Sequence, residues 1–282
     1  MKSILLIILN RSSNALLKFA LFERIADIFC QICFSRKILI KHQNVKLWLS
    51  TPNQLNKFRA VTFAIKEPET LRWIDSLPRL SNLWDIGANV GLYSCYAAKA
   101  RECRVYAFEP SVFNLESLAR NINLNGLCNQ VVIIPLPLCR KTTVQSLNMT
   151  SLEWGAALST FGEDYGHDGK KLDPVFSFQT LGVSMTDMAV KFSIPAPDFI
   201  KMDVDGIEHL ILQGGSEVLK NVKGILIEIN DEFVDQAEVS SACLKEAGFR
   251  LVEKAHSELV QNSLFSSAFN QIWERQSADP SQ

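Results

Sequence analysis

The stretch L-W-D-I-G-A-N-V-G-L-Y-S, residues 83 to 94, decides the fold of this chain. It runs from apolar residues into an acid and a glycine, which is typical of the end of a buried strand, and then takes the pattern of a helix start. Gly87 stands where the backbone must turn sharply, and Gly91 where the helix and the strand must pack closely. The first backbone amides of such a helix have no partner within it and face any bound ligand. The stretch therefore predicts a strand–turn–helix unit with a nucleotide-like ligand at the turn.

Strands and helices alternate after this unit. The pattern predicts strands at residues 104–108, 131–134, 199–202 and 224–229, with helices between them. Two closing strands, 250–253 and 267–274, have no crossover helix between them, so we expect them to pair antiparallel. This order indicates a doubly wound, Rossmann-like α/β fold, with a mostly parallel sheet and an antiparallel last strand.

Bulk composition is that of an ordinary globular protein. The chain has 282 residues, 47% of them hydrophobic and 21% charged, and a formal net charge of −1. That net charge gives no global argument for binding to nucleic acid or to an anionic membrane. The apolar run Ile4–Leu9 is too short to span a bilayer, and the seven scattered cysteines are typical of reduced thiols. We therefore expect a cytoplasmic protein with no transmembrane segment and no nucleic-acid partner.

An acid at the end of the second strand of this pattern suits a ribose. Glu109 follows Gly87 by 22 positions, close to the offset of roughly 20 residues for a carboxylate that binds a ribose diol. The turn lacks the middle glycine of G-x-G-x-x-G, which lets a pyrophosphate approach the backbone. S-adenosylmethionine (SAM) carries no phosphate and does not need that glycine. The residues thus favour a SAM-dependent methyltransferase, with a nucleotide-dependent oxidoreductase and a non-catalytic SAM-binding protein as alternatives.

Several blocks of the chain carry a family resemblance. They are DIGANVGLYS (85–94), YAFEPS (106–111), PDFIKMDVDGIEHLILQGG (197–215) and ILIEIN (225–230). In order and spacing they resemble the FkbM family of SAM-dependent methyltransferases, from about Lys66 to about Asn230. The resemblance implies a class I methyltransferase fold and methylation of an oxygen, often a hydroxyl, on a small-molecule, sugar or lipid acceptor. Members of the family usually have D-V-E-G where this chain has Asp203-Val204-Asp205-Gly206, so the shorter Asp205 departs from the family pattern.

We expect a division of the chain into regions. Residues 1–60 would form a small helical N-terminal appendage, in which Val45–Leu49 alternates like a short strand. Residues 61–276 would form the SAM-dependent methyltransferase domain, and 277–282 a disordered tail. Within the domain, residues 139–188 break the alternation and are rich in polar residues and glycine, so this segment is a candidate lid or substrate loop. The sequence leaves open whether the chain forms a homo-oligomer.

The predicted cofactor-binding residues are Asp85, Gly87, Ala88, Asn89, Gly91, Glu109 and Pro110. The resemblance assigns Asp85, Gly87, Asn89 and Gly91 to the methionine side of SAM, and Glu109 to the ribose. Pro110 ends the second strand of the pattern.

Methylation of an alcohol needs a group that removes its proton. We predict Asp203 as the catalytic base, because it ends the strand nearest the expected methyl position; a role in orienting SAM or in capping the next helix is the alternative. No metal ion is predicted, although Asp203, Glu228 and Asn230 end neighbouring strands, so a Mg²⁺ between them stays an open alternative.

Overall fold

A computed structural model describes residues 20–256, 259 and 265–276. The apolar run Ile4–Leu9 and the predicted tail 277–282 lie outside the described residues. The strands are β1 (Lys37–His42), β2 (Val45–Ser50), β3 (Asn82–Ile86), β4 (Arg104–Phe108), β5 (Val131–Ile134), β6 (Thr143–Met149), β7 (Ser159–Phe161), β8 (Phe176–Gly182), β9 (Phe199–Met202), β10 (Gly224–Asn230), β11 (Phe249–Ala255) and β12 (Ala268–Arg275). The helices are α1 (Ala20–Phe34), α2 (Gln54–Val61), α3 (Phe63–Lys66), α4 (Pro68–Ser76), α5 (Leu92–Arg101), α6 (Val112–Leu124), α7 (Met185–Val190), α8 (Glu208–Gln213), α9 (Ser216–Leu219) and α10 (Val234–Glu246).

The central sheet has seven strands in the order β11-β12-β10-β9-β3-β4-β5. Neighbours from β10 to β5 pair parallel, whereas β12 lies antiparallel to both β10 and β11. The doubly wound, mostly parallel sheet with an antiparallel last strand is therefore confirmed. The carboxyl ends of β3, β4, β9 and β10 meet at one edge of the sheet, where ligands bind in folds of this type.

Both faces of this sheet are covered, which explains the near-continuous apolar runs of its strands. Trp84, Ile200 and Ile227 belong to the buried cluster on one face, and Leu83 and Leu226 to the cluster on the other. Because side chains alternate along a strand, the polar residues two positions after Leu83 and Leu226 lie on the second face. Asp85 and Glu228 therefore lie on the face of the sheet that the N-terminal elements cover.

The N-terminal elements pack against this second face. Strands β1 and β2 form an antiparallel hairpin, and the buried Leu47 and Phe63 join the cluster there. The backbone N–H of Ser50 donates to Asn121 Oδ1 of α6, at 2.7 Å. The expected short strand is present as β2, and its partner β1 was not predicted. None of the helices in the part of the chain that the structure describes has the length and apolarity of a membrane-spanning segment.

The segment between β5 and β9 forms a small sheet of its own, in the order β7-β6-β8. Its buried residues Leu147, Met149 and Phe161 pack into the first-face cluster. Strand β6 is the middle strand of this sheet and pairs antiparallel with β7 and β8. The link from β6 to β7 runs across the ligand edge of the central sheet, and we name residues 151–158 the strap.

Candidate active site

The turn after β3 is fixed by the chain itself. Gly87 and Ala88 donate their N–H groups to the carbonyl oxygen of Phe108, at 3.0 and 2.9 Å. Gly87 has φ +84°, and a Cβ there would lie 1.8 Å from the carbonyl oxygen of Asp203. Glycine is thus required by the backbone of β9 as well as by any ligand. Gly91, with φ +78°, packs against Leu118 of α6, whose Cδ1 would lie 2.3 Å from a Cβ, so the close contact predicted with the strand is made with a helix.

Glu109 lies at the end of β4 and ties this strand to the turn. Its Oε2 accepts the N–H of Asn89 and its Oε1 that of Ser111, both at 2.8 Å. The side chain is buried, and this burial raises the pKa of Glu109 to about 7, although the N–H groups of Ser111 and Asn89 act to lower it. A carboxylate oxygen can accept more than one hydrogen bond, so Glu109 can still bind hydroxyl groups of a ligand.

The strap is held down over the turn by polar side chains. The carbonyl oxygen of Ala156 accepts from the side-chain amides of Asn89 and Asn114, at 2.8 and 3.0 Å. At its end, the N–H of Leu158 donates to Asp205 Oδ2 at 2.7 Å. On the other side, Arg59 Nε of α2 donates to the carbonyl oxygen of Gly155 at 2.7 Å. The segment predicted as a lid therefore contacts the turn after β3, the residues after β9 and helix α2 at the same time.

Two cavities meet at the turn. The first, of about 540 Å³ with the space open to solvent included, has a largely apolar wall with Glu109 and Pro110 at the end of β4. The second, of about 450 Å³ counted in the same way, contains the charged groups of Lys66, Glu67 and Lys201. Both are lined by Gly87, Asn89 and Asp203, and Ala88 lines the second. The structure thus brings together the predicted residues Gly87, Ala88, Asn89, Glu109, Pro110 and Asp203, whereas Asp85 and Gly91 line neither cavity.

A buried lysine lies under this junction. Lys201 is 2% exposed, and its Nζ lies 3.3 Å from Asp203 Oδ2 and 3.9 Å from Asp85 Oδ1. Burial acts to lower the pKa of Lys201, but the carboxylates of Asp203, Asp85 and Glu67 outweigh it and raise the pKa. Lys201 therefore remains charged and holds Asp203 at the edge of the sheet.

Asp85 supports the turn from beneath. It is 1% exposed, and its Oδ2 accepts the hydroxyl of Ser94 at the start of α5. Its Oδ1 is buried without a hydrogen-bond partner in the described part of the chain. Burial raises the pKa of this carboxyl, opposed chiefly by Lys201. Asp85 thus ties the end of β3 to the start of α5 through Ser94, and its predicted contact with the cofactor remains a proposal.

Glu67 and Tyr93 complete the second cavity, and neither was predicted. Glu67 precedes α4 and accepts from Lys66 Nζ at 2.6 Å. Burial acts to raise the pKa of Glu67, but the ammonium groups of Lys66 and Lys201 lower it to about 2. Burial, followed by the charge of Glu67, raises the pKa of the Tyr93 phenol. A charged carboxylate and a neutral phenol therefore face the same cavity.

The turn after β9 is capped by a glutamate and not by Asp203. Glu208 Oε1 accepts the N–H of Val204 at 2.9 Å, and its Oε2 that of Gly206 at 3.0 Å. Asp203 instead uses its side chain for Lys201. The helix that follows, α8, has no side-chain cap at its N-terminus. Of the two alternatives to a catalytic role for Asp203, helix capping is therefore not seen, and the orientation of SAM remains.

The Mg²⁺ alternative concerned Asp203, Glu228 and Asn230, and it stays untested. Asn230 Oδ1 accepts the N–H of Glu232 at 3.0 Å. Among residues 20–256, 259 and 265–276, no three His, Cys, Asp or Glu side chains are placed to hold a metal ion. Burial, followed by the charge of Asp203, raises the pKa of Glu228 well above its usual value.

Comparison with known proteins identifies the family to which the chain belongs. The family model "Methyltransferase FkbM domain" matches residues 85–251, more than half of the chain. The chain belongs to the FkbM methyltransferase family. The match begins at Asp85, near the end of β3, and ends at residue 251, near the start of β11. It includes the central strands β4, β5, β9 and β10. The resemblance read from the sequence is confirmed, and FkbM membership favours methyl transfer over the oxidoreductase alternative.

One curated relative and several solved structures are similar to this FkbM protein. The hexuronic acid methyltransferase AglP of Haloferax volcanii is 25% identical over 148 residues, which are 52% of this chain and 55% of AglP. The chain thus spans about half the length of this relative.

Two solved structures illustrate the structural matches. M. jannaschii TYW2 in complex with AdoMet has 14% identity and a TM-score of 0.43, over 85% of this chain and 87% of that one. The precorrin-6y C5,15-methyltransferase of Geobacter metallireducens has 14% identity and a TM-score of 0.44, over 74% and 87%. These structural similarities are too low to carry an argument.

Proposed function

We propose that this FkbM protein transfers the methyl group of SAM to an oxygen of a small-molecule, sugar or lipid acceptor. The observation that carries the proposal is the junction of two cavities of different chemistry at Gly87, Asn89 and Asp203. A cofactor with an apolar nucleoside at one end and a charged amino acid at the other matches such a pair of cavities.

The first cavity suits the adenosine of SAM. Its apolar wall would hold the base, with Pro110 beside it, and Glu109 would accept hydrogen bonds from the ribose hydroxyls. In the second cavity, Lys66 would pair with the carboxylate of the methionine part. Ala88 and Asn89 would contact this part through the turn, while Asp85 and Gly91 would act by fixing the shape of the turn.

The protein has two tasks in this reaction: it aligns the acceptor oxygen with the methyl group, and it removes the proton of the acceptor hydroxyl. SAM supplies an electrophilic methyl group, so the chain has to hold the acceptor oxygen in line with it. Asp203 lies where the two cavities join and is only partly buried, and it is our proposed base for the acceptor hydroxyl. The ion pair with Lys201 would fix the position of this carboxylate.

Arg59 favours an acidic sugar as acceptor. AglP is named for hexuronic acid, a sugar with a carboxylate. In this chain Arg59 lines the second cavity beside Lys66, which the proposal assigns to SAM. Arg59 Nε is bonded to the strap, while its terminal amino groups have no hydrogen bond within the described part of the chain. Since guanidinium groups bind carboxylates in a bidentate manner, Arg59 is our candidate for this contact.

The Arg59→Gln variant is therefore expected to raise the KM for a uronic-acid acceptor by about tenfold or more, with a much smaller change in kcat, because one charge-assisted contact is lost. Steady-state kinetics with a uronic acid and its uncharged parent sugar would measure this. Lys57→Gln, an exposed residue of α2 two positions before Arg59 and outside the cavity wall, is the matched control. An equal rise in KM in both variants would contradict the assignment.

The affinity for SAM is expected to depend on pH through Glu109. The folded pKa of Glu109 is raised to about 7, and a cationic ligand favours the charged carboxylate. From about pH 8 to about pH 6 the affinity should fall by about tenfold, as protonation of Glu109 competes with binding. Calorimetric titration should show this fall in the wild type and in Asp205→Asn, whose carboxyl also titrates near pH 6. Glu109→Gln should abolish it, and an unchanged pH profile in that variant would refute the role of Glu109.

Turnover tests the proposal as a whole. The full chain is incubated with SAM and a panel of uronic acids, neutral sugars and lipid-linked glycosides, and products are followed by mass spectrometry. We expect an added methyl group on an oxygen of one acceptor class, together with S-adenosylhomocysteine. Binding of SAM without turnover on any acceptor would favour the non-catalytic alternative.

A further inference from the structure

The N-terminal segment and the rest of this chain carry opposite net charges. Residues 1–66 contain eleven Lys and Arg but only two Asp and Glu, a net charge of +9. Residues 67–282 contain 18 basic and 28 acidic residues, a net charge of −10. The formal net charge of −1, which gave no argument for an anionic partner, is therefore the sum of a basic N-terminal segment and an acidic remainder. Such a segment attracts polyanionic surfaces.

The outer face of the hairpin β1–β2 combines lysines with an exposed apolar pair. Leu39 lies opposite Trp48 in the register, and Lys41 opposite Lys46. Leu39 and Trp48 are 36% and 39% exposed. The Nζ of Lys37 lies 4.9 Å from the centre of the Trp48 ring. Three ammonium groups thus surround a tryptophan and a leucine on one face, the arrangement that side chains adopt at a membrane interface.

The helices on either side of the hairpin expose further apolar side chains. In α1 these are Ile25, Ile28, Phe29 and Ile32, each more than half exposed. In α2 and α3 they are Phe58, Val61 and Ile65, spaced along one side of the two helices and also more than half exposed. Of the 23 large hydrophobic side chains exposed in the described part of the chain, ten lie between residues 22 and 65. Exposed apolar surface and positive charge therefore coincide in the same segment.

A lipid surface accounts for both properties. Nucleic acid would satisfy the lysines but leave the isoleucines and valine in water. A second copy of this segment would cover the apolar side chains, but it would bring two strongly positive surfaces together. An anionic bilayer attracts the lysines through its headgroups and takes up the apolar side chains below them.

We propose that residues 20–66 form a docking surface for an anionic lipid bilayer. The surface consists of the outer face of β1–β2 and the exposed apolar sides of α1, α2 and α3. Arg59, Phe63 and Lys66 of the same segment line the second cavity, so the proposed surface and the candidate active site share one segment of the chain. The proposal does not depend on methyl transfer, since it concerns binding to lipid alone.

Vesicle flotation of the full chain tests this surface. We expect binding to vesicles of phosphatidylcholine with phosphatidylglycerol, and at least about tenfold weaker binding to phosphatidylcholine alone or at high salt. The triple variant Lys37→Glu, Lys41→Glu, Lys46→Glu and the separate variant Trp48→Ser should each weaken the binding to the anionic vesicles by about the same factor. Thermal unfolding would confirm that both variants are folded.

The matched control places the same charge change on the acidic remainder of the chain. Lys171→Glu, Lys220→Glu and Lys245→Glu are exposed positions outside the docking surface, and this triple variant should keep its binding. Failure of the wild type to float with anionic vesicles would overturn the proposal, as would equal loss in the two triple variants. Tighter binding to a single-stranded RNA, or dimerisation in place of lipid binding, with both abolished by the hairpin variants, would overturn it in favour of those partners.

Discussion

Asp203→Asn is expected to lower kcat by about 10²- to 10⁴-fold, the usual contribution of a positioned general base. The substitution keeps the size and shape of the side chain at the junction of the two cavities but removes its ability to take a proton. Lys201 keeps Asp85 and Glu67 as negative neighbours, so the buried ammonium should not lose its site. The dissociation constant of SAM should therefore change far less than kcat.

Single-turnover rates and calorimetric titration of the same preparation would separate the two effects. The control is Asp231→Asn, an exposed acid paired with Lys254, which should retain full activity. If Asp203→Asn binds SAM normally and keeps full turnover, Asp203 is not the base. If SAM affinity and kcat fall together, Asp203 acts by orienting SAM.

Gly87→Ala is expected to have the largest effect on stability, about 4 kcal/mol, together with loss of SAM binding. Part of the cost is the left-handed backbone, since φ is +84° and a residue with a Cβ pays about 1–2 kcal/mol there. The larger part is the collision of the new Cβ with the carbonyl oxygen of Asp203, 1.8 Å away. The turn and the end of β9 would have to separate, which moves both Asn89 and Asp203.

Gly126→Ala isolates the collision from the backbone strain. Gly126 also has a positive φ, +68°, but a Cβ there would meet nothing within 4 Å. Its substitution should cost only about 1–2 kcal/mol and leave SAM binding intact. Urea unfolding of both variants gives the comparison. Equal losses of stability would show that strain alone, and not the contact with β9, makes Gly87 necessary.

The fold could be predicted because its signals are local. Strands β4, β5 and β9 have the predicted bounds, since each is a short apolar run buried on both faces and bounded by turn residues. A local signal of the same kind is Pro68, which occupies the first position of α4, where its missing N–H costs no hydrogen bond. Strand β1 was not predicted because its short sequence, KILIKH, can be recognised as a strand only when its hairpin partner β2 is known.

The site was predicted in part for a similar reason. Gly87 and Glu109 lie at fixed offsets from strand ends, so the sequence alone could place them at one edge. Glu67 and the strap reach the site from segments with no recognisable motif, and their role depends on tertiary contacts such as that of Ala156 with Asn89. The charge of Lys201 is set by three carboxylates from different parts of the chain. Interactions of this kind have no signature in sequence spacing.

A crystal structure of the full chain with S-adenosylhomocysteine tests the central claim most directly. We expect the adenosine in the first cavity with its ribose hydroxyls on Glu109, the amino-acid part in the second cavity near Lys66, and the sulfur close to Asp203. A ligand bound elsewhere, or bound with its ribose away from Glu109, would contradict this account.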